Sequence, residues 1–246
     1  MSGEDGAPIA LITGVGPGTG AALARKFAQE GYRVALLARN ADRLERLAGE
    51  IRNAHAFVCD VEQESAIDAT VNRVVAELGH PSVFVHNAVG GIIGSTSVEG
   101  IFGNFLEIDP QALERNFRTN TTALLHFARR LAPPMVAKGG GTMIVTGNTS
   151  ALRGKSGFAA FAPTKAAQRI LAESMARHLG PQGVHVAYVV IDAVIDVPWT
   201  RQQLKDAAED FFIKPEAIAS EIWHLTQQDR SAWSFNVEIR PFREPW

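Results

Sequence analysis

The stretch Ile9-Ala-Leu-Ile-Thr13-Gly14-Val-Gly16-Pro17-Gly18-Thr19-Gly20 decides the fold. Ile9 to Thr13 is apolar and β-branched without polar alternation, which reads as a strand buried on both faces. The glycines that follow let the backbone turn tightly and approach a ligand closely. Ala21 to Glu30 then reads as a helix, with Leu23, Ala24 and Phe27 on one face and Gly31 as its stop. A glycine turn between a buried strand and a helix aims free helix N–H groups at a phosphate. The G-x-G-x-x-G spacing fails in both registers, because Thr19 and Ala21 stand where its last glycine belongs. The alternative T-G-x-x-x-G-x-G fits through Gly14, Gly18 and Gly20. Gly14, Gly16, Pro17, Gly18 and Thr19 are therefore the expected diphosphate cradle.

Outward from this turn, short apolar strands alternate with helical stretches. The strands are Arg33 to Ala38, His55 to Asp60, Ser82 to Asn87, Thr142 to Thr146, Val184 to Ile191 and Trp233 to Ile239; helices are expected at Ala41 to Asn53 and about 64–79, 110–137 and 157–179. Asp109-Pro110 is an N-cap with an N1 proline, and Lys214-Pro215 opens a further helix. Strands of this kind, linked by right-handed helical crossovers, make an α/β, three-layer, doubly wound Rossmann fold with a seven-stranded parallel sheet. No repeat or linker divides the chain, so residues 1–246 are expected to be one domain. Val89 to Ile108 and Asp192 to Lys214 follow strand ends irregularly and are expected to wall a ligand site.

The end of the second strand bears on the ligand. Dinucleotide sites for NAD place an acid there for the ribose 2′-hydroxyl, whereas this chain reads Leu36-Leu-Ala-Arg39-Asn40. Arg39 can make charge-assisted bonds to a 2′-phosphate, with Asn40 beside it, so NADP(H) is preferred and NAD(H) is the alternative.

Composition closes off other classes. The 24 basic and 26 acidic side chains leave a net charge of −2, which provides no electrostatic footprint for nucleic acid or an anionic membrane. The single cysteine, Cys59, excludes an intrachain disulfide framework and a multi-cysteine zinc site, and no metal site is expected. The opening MSGEDGAP resembles no targeting peptide, and no apolar run is long enough to span a bilayer, so a cytoplasmic protein acting on a small molecule is expected.

In order and spacing, several motifs resemble those of the short-chain dehydrogenase/reductase superfamily, from Ile9 to about Ile239. They are T-G-x-x-x-G-x-G at Thr13 to Gly20, Cys59-Asp60-Val61, Val85-His-Asn-Ala88, Asn120 within Arg118-Thr-Asn-Thr, and Lys165 within Phe161-Ala-Pro-Thr-Lys165. The resemblance implies that Asp60 and Val61 flank an adenine, that Asn87 and Ala88 line the ribose region, and that Val89 is a further cofactor-binding position. It further implies that Lys165 holds the nicotinamide ribose, that Ile195 meets the carboxamide, and that the chain forms a homodimer or homotetramer. The family uses a tyrosine four residues before its lysine as general acid/base, and a serine 13 residues before that tyrosine to bind the substrate carbonyl. Here Phe161 and Asn148 stand at those positions, with Ser150 near by. Asn87-Ala-Val89-Gly90, Asp192-Ala193 and Val197 also depart from the family pattern.

The expectation is NADPH-dependent reduction of a small hydrophobic carbonyl, C=C or C=N compound with a non-standard proton donor. Lys165, Asn120, Asn148, Ser150 and Phe161 are its candidate catalytic positions. Burial of Lys165 beside Phe161 should lower its pKa toward neutrality. One alternative is a catalytically silent NADP(H)-binding regulatory or scaffold protein. Another is a non-redox lyase or isomerase with His86, Asp192 or Asp196 as base. Ile92, Ile93, Phe102, Phe105, Trp199, Phe211 and Phe212 are expected to form an apolar substrate wall. The aromatic tail, Trp233, Phe235, Phe242 and Trp246, packs either on its own domain or across a subunit boundary.

Overall fold

A computed structural model describes residues 6–90 and 103–244. Seven strands form one parallel sheet, as the alternating pattern predicts, and their order is β3-β2-β1-β4-β5-β6-β9. The strands are β1 (Ile9–Thr13), β2 (Arg33–Ala38), β3 (Ala54–Val58), β4 (Val83–His86), β5 (Gly141–Asn148), β6 (Val184–Ile191) and β9 (Asn236–Ile239). The helices are α1 (Thr19–Gln29), α2 (Ala41–Glu50), α3 (Glu64–Glu77), α4 (Pro110–Phe117), α5 (Ala123–Ala137), α6 (Ala162–Leu179), α7 (Pro198–Gln203) and α8 (Pro215–Thr226).

Two apolar layers sandwich the sheet. On one face Ile67 and Val74 of α3, Phe127 and Leu131 of α5, and Ala172 and Met175 of α6 pack against Leu11, Phe84, Val145 and Tyr188. On the other, Leu23 and Phe27 of α1, Leu44 and Leu47 of α2, and Ile218 and Ile222 of α8 cover Ile12, Leu36, Val85 and Val189. Burial on both faces is why these strands lack polar alternation. The chain winds outward from β1 to β3 and then returns to β4 on the other side of β1. The carboxyl ends of β1 and β4 therefore border the crevice where sheets of this kind bind ligands.

Apart from shifted ends, such as α6 starting at Ala162 rather than about 157 and α2 stopping at Glu50 rather than Asn53, the structure departs from the sequence expectation in three places. The helix expected over 110–137 is interrupted by a π-helical turn, Arg118–Thr122, between α4 and α5. The irregular stretch after β6 is ordered: β7 (Val194–Ile195) pairs with β8 (Phe212–Ile213), and α7 lies between them. The last strand is shorter than Trp233 to Ile239: it begins at Asn236, and Trp233, ahead of it, stacks on His185 at 4.9 Å.

Phe235 packs on the domain's own core, whereas Phe242 is 82% exposed. Ile92, Ile93, Phe102 and Trp246 lie outside the described residues. No helix among the described residues is long and apolar enough to cross a membrane.

Candidate active site

Gly14 follows β1 with φ +67°, a left-handed conformation that residues with side chains rarely adopt. A Cβ there would fall 2.6 Å from the Ala88 backbone and from the Asn87 carbonyl, so β1 and the segment after β4 touch through the absence of a side chain. Around Gly16 such a Cβ would meet nothing within 4 Å, which leaves that side of the turn open. Val197 covers the far side, with Cγ1 2.7 Å from where a Gly18 Cβ would sit.

The turn delivers α1 with its amino end unfinished. Gly18 caps it without a side-chain bond, its first turn holds no acid, and the Thr19 hydroxyl is buried without a partner. Buried polar atoms are nearly always paired, and unpaired helix N–H groups carry the positive end of the helix dipole. This end of α1 fits the diphosphate of a dinucleotide: free N–H groups, an orphaned hydroxyl and room beside Gly16.

From this turn a chain of hydrogen bonds runs to Lys165. Asn87 Nδ2 donates to the Gly14 carbonyl at 3.0 Å, and Thr146 Oγ1 donates to Asn87 Oδ1 at 3.2 Å. Lys165 Nζ donates to the Thr146 carbonyl at 3.0 Å and to Gln168 Oε1 at 2.5 Å. Gln168 Nε2 continues to the Asn120 carbonyl at 2.7 Å. Asn120 is held on both sides of its own amide, accepting Gly90 N–H at 2.9 Å and donating to Thr164 Oγ1 at 2.8 Å. Lys165 is only 3% exposed, and burial lowers its pKa to about 7, the direction expected from the sequence.

Phe161 is buried at the N-cap of α6, and its carbonyl accepts Lys165 N–H. Asn148 ends β5 and caps the following turn, its Oδ1 accepting Ser150 N–H at 3.1 Å. Ser150 is buried beside it. These positions therefore converge where β5 ends and α6 begins.

Other expected residues stand apart from this network. Arg39 is exposed at the end of β2 and forms no salt bridge among the described residues, while the Asn40 side chain is taken up in capping α2 through Arg43 N–H. Asp60 accepts Glu62 N–H after β3, and the adjacent Val61 leans on the core. Val89 is half-buried after β4. Ile195 lies on β7, its carbonyl bonded by Thr200 Oγ1 at 2.6 Å.

The structure argues against two of the candidate bases. His86 is fully buried between Thr13 Oγ1 and the Thr119 carbonyl, and desolvation takes its pKa to about 3. Its imidazole is a neutral strut. Asp196 is clasped at both oxygens by Arg201, which holds its carboxyl below the usual range. Asp192 is half-buried after β6. Among the described residues no group of His, Cys, Asp and Glu could hold a metal ion.

Sequence reasoning read Thr13 only as the start of the glycine motif and missed Thr146, Thr164, Gln168 and Tyr188. Thr13 Oγ1 accepts the N–H groups of Asn87 and Ala88, which fixes the start of the segment after β4. Gln168 carried one signal, its place three residues after Lys165 on the same helix face.

The model of the short chain dehydrogenase family matches residues 8–207. An uncharacterized oxidoreductase of Staphylococcus haemolyticus is 26% identical over 235 residues, 95% of this chain and 96% of that protein. Among solved structures, a short-chain dehydrogenase from Rhodopseudomonas palustris is similar with a TM-score of 0.79 at 33% identity, covering 96% of this chain and 99% of the other. A metagenomic short-chain oxidoreductase in complex with NADP is similar with a TM-score of 0.80 at 28% identity, covering 95% and 96%. The crevice at the sheet's switch point, the uncapped α1 and the buried Lys165 stand within the matched region, and the chain belongs to the short-chain dehydrogenase family.

Proposed function

We propose that the protein is an NADP(H)-dependent oxidoreductase that reduces a small hydrophobic carbonyl, or a related C=C or C=N compound, with its proton supplied by a group other than a tyrosine phenol. The observation that carries this reading is the unfinished amino end of α1, with the orphaned Thr19 hydroxyl, delivered by a turn whose Gly14 carbonyl is linked through Asn87 and Thr146 to the buried Lys165. The NADP complex of a structural relative at 28% identity supports the choice of cofactor class.

In this reading the backbone of Gly14, Gly16, Pro17, Gly18 and Thr19 holds the diphosphate, and Arg39 with Asn40 meets the 2′-phosphate. Asp60 and Val61 flank the adenine, Asn87 and Ala88 line the ribose with Val89 next to them in the cofactor site, and Ile195 meets the carboxamide. The cofactor, when bound, supplies the hydride. Lys165 holds the adjoining ribose hydroxyls and, with a pKa near 7, carries a transferable proton at neutral pH. Asn148 presents its Nδ2 to the substrate oxygen, its Oδ1 being engaged by Ser150 N–H. Asn120 anchors the π turn, and Phe161 replaces a proton donor with an apolar wall.

Phe161 also supports a second reading, a dinucleotide-binding protein without turnover. Titrating the protein with NADPH and with NADH, then following nicotinamide absorbance over a panel of ketones, enones and imines, separates the two. Turnover supports the reductase, whereas tight NADPH binding with no turnover supports the silent protein. Phe161→Tyr should raise ketone reduction by about 10²-fold, the scale of one general acid. No gain would mean that no carbonyl is presented at that position.

A further inference from the structure

Gln168 is completely buried on α6, three residues past Lys165. Burying an amide is costly unless both its ends find partners, and here both do. Its Oε1 accepts Lys165 Nζ, and its Nε2 donates to the Asn120 carbonyl. The Tyr188 hydroxyl stands 3.4 Å from the same Oε1 and 3.4 Å from the Lys165 carbonyl. Two donors at one end and a carbonyl at the other settle which way the amide faces, since a flipped amide would set its NH2 group against an ammonium.

The surroundings are built to hold this amide. The π turn reroutes backbone bonding around Asn120, with Ala123 N–H reaching back to the Arg118 carbonyl. Tyr188 backs the amide from β6, and it can do so because residue 147 is glycine: a Cβ there would fall 2.2 Å from the Tyr188 ring and hydroxyl. The titratable groups facing Lys165 are His86 from β4 and Tyr188 from β6, and no carboxylate pairs with the ammonium among the described residues.

We infer that Gln168 is a positioning residue, which ties the Lys165 side chain to the π turn and closes off every route for its proton except the one toward the ligand. The inference rests on the reading above, in which Lys165 serves a bound dinucleotide and its substrate. Of the three ammonium N–H groups, one is taken by the Thr146 carbonyl and one by Gln168 Oε1. Neither acceptor passes a proton onward at neutral pH as a hydroxyl or a water would, so the third N–H is the one that exchanges. A neutral amide also steadies the ammonium without fixing its charge as a carboxylate would.

The test follows the Lys165 side chain directly, by carbon NMR of lysine-labelled apoprotein between pH 5 and 11. The Lys165 signal is identified by its loss in Lys165→Met. In Gln168→Glu the titration midpoint should rise by about one pH unit or more, because a carboxylate replaces the neutral oxygen. In Gln168→Leu it should fall by about as much, because the ammonium loses an acceptor. Circular dichroism checks that each variant folds; should Gln168→Glu not fold, Gln168→Leu and Gln168→Met decide. Midpoints unchanged in the folded variants would overturn the positioning role and leave Gln168 as packing. NADPH fluorescence titration of the unaltered protein runs in parallel. Absence of dinucleotide binding there would overturn the functional reading, while the Lys165 midpoints still report on Gln168.

Discussion

At the scale of single residues, the site depends on what is missing as much as on what is present. Gly14→Ala would force a side chain into a left-handed conformation and against the backbone after β4. The expected cost is about 2–4 kcal/mol, read as a lower urea midpoint, with NADPH affinity falling further than stability because the turn itself is displaced. A variant as stable as the parent would mean that β1 and the Ala88 segment can separate freely. Gly14, Gly18 and Lys165 were legible because glycine spacing and a lysine at a fixed interval leave marks in one dimension. Gln168 and Tyr188 were not. A glutamine within a helix reads as a surface residue, and a tyrosine within a strand reads as core. Only the fold brings the amide of one against the hydroxyl of the other, over a glycine whose purpose was equally hidden.

At the scale of elements, the central strands were legible because burial on both faces makes each a short apolar run, and the edge strands β3 and β9, which are partly exposed, because they keep the same alternation with helices. The π turn was not, because Arg118–Thr122 is a short polar stretch between two helical runs that read as one, and the interruption lies in backbone bonding. The segment after β6 was hidden for another reason: two-residue strands such as β7 and β8 have no period to detect. That segment is held by Arg201, which grips Asp196 through two bonds at 2.7 and 2.8 Å and Glu209 at 3.0 and 2.9 Å, and lies over the Phe212 ring at 4.2 Å. The pairs are partly solvated, so they contribute little to global stability. Arg201→Met should therefore lower the global unfolding free energy by no more than about 1 kcal/mol. It should nevertheless speed amide hydrogen exchange across 194–213, because the loss falls on a local opening rather than on the core. Unchanged exchange in that segment would show that the β7–β8 pairing and Thr200 hold it without the arginine.

At the scale of the whole molecule, buried ionisable groups give stability a slope with pH. His86 has a folded pKa of about 3 against an ordinary 6.5, so below pH 6.5 the unfolded chain takes up a proton that the folded protein refuses. Stability from this group is whole above pH 6.5 and declines toward pH 3, by about 1.4 kcal/mol per unit, or about 2 kcal/mol at pH 5. Lys165 acts in the same sense in a higher window. Its folded pKa of about 7 lies below the ordinary 10.5, so the unfolded chain holds the extra proton between those values and stability climbs with pH across them. Tyr188 opposes the trend only above pH 10, where the unfolded phenol ionises and the buried one does not. Urea unfolding from pH 5 to pH 9 should accordingly show a midpoint that rises throughout. His86→Gln should flatten the part below pH 6.5, and Lys165→Met the part above pH 7. If both variants kept the parent's slope, the charges governing stability would lie elsewhere. The same desolvation that makes the ammonium costly to bury is what leaves it ready to give up a proton at the pH where a reductase would need one.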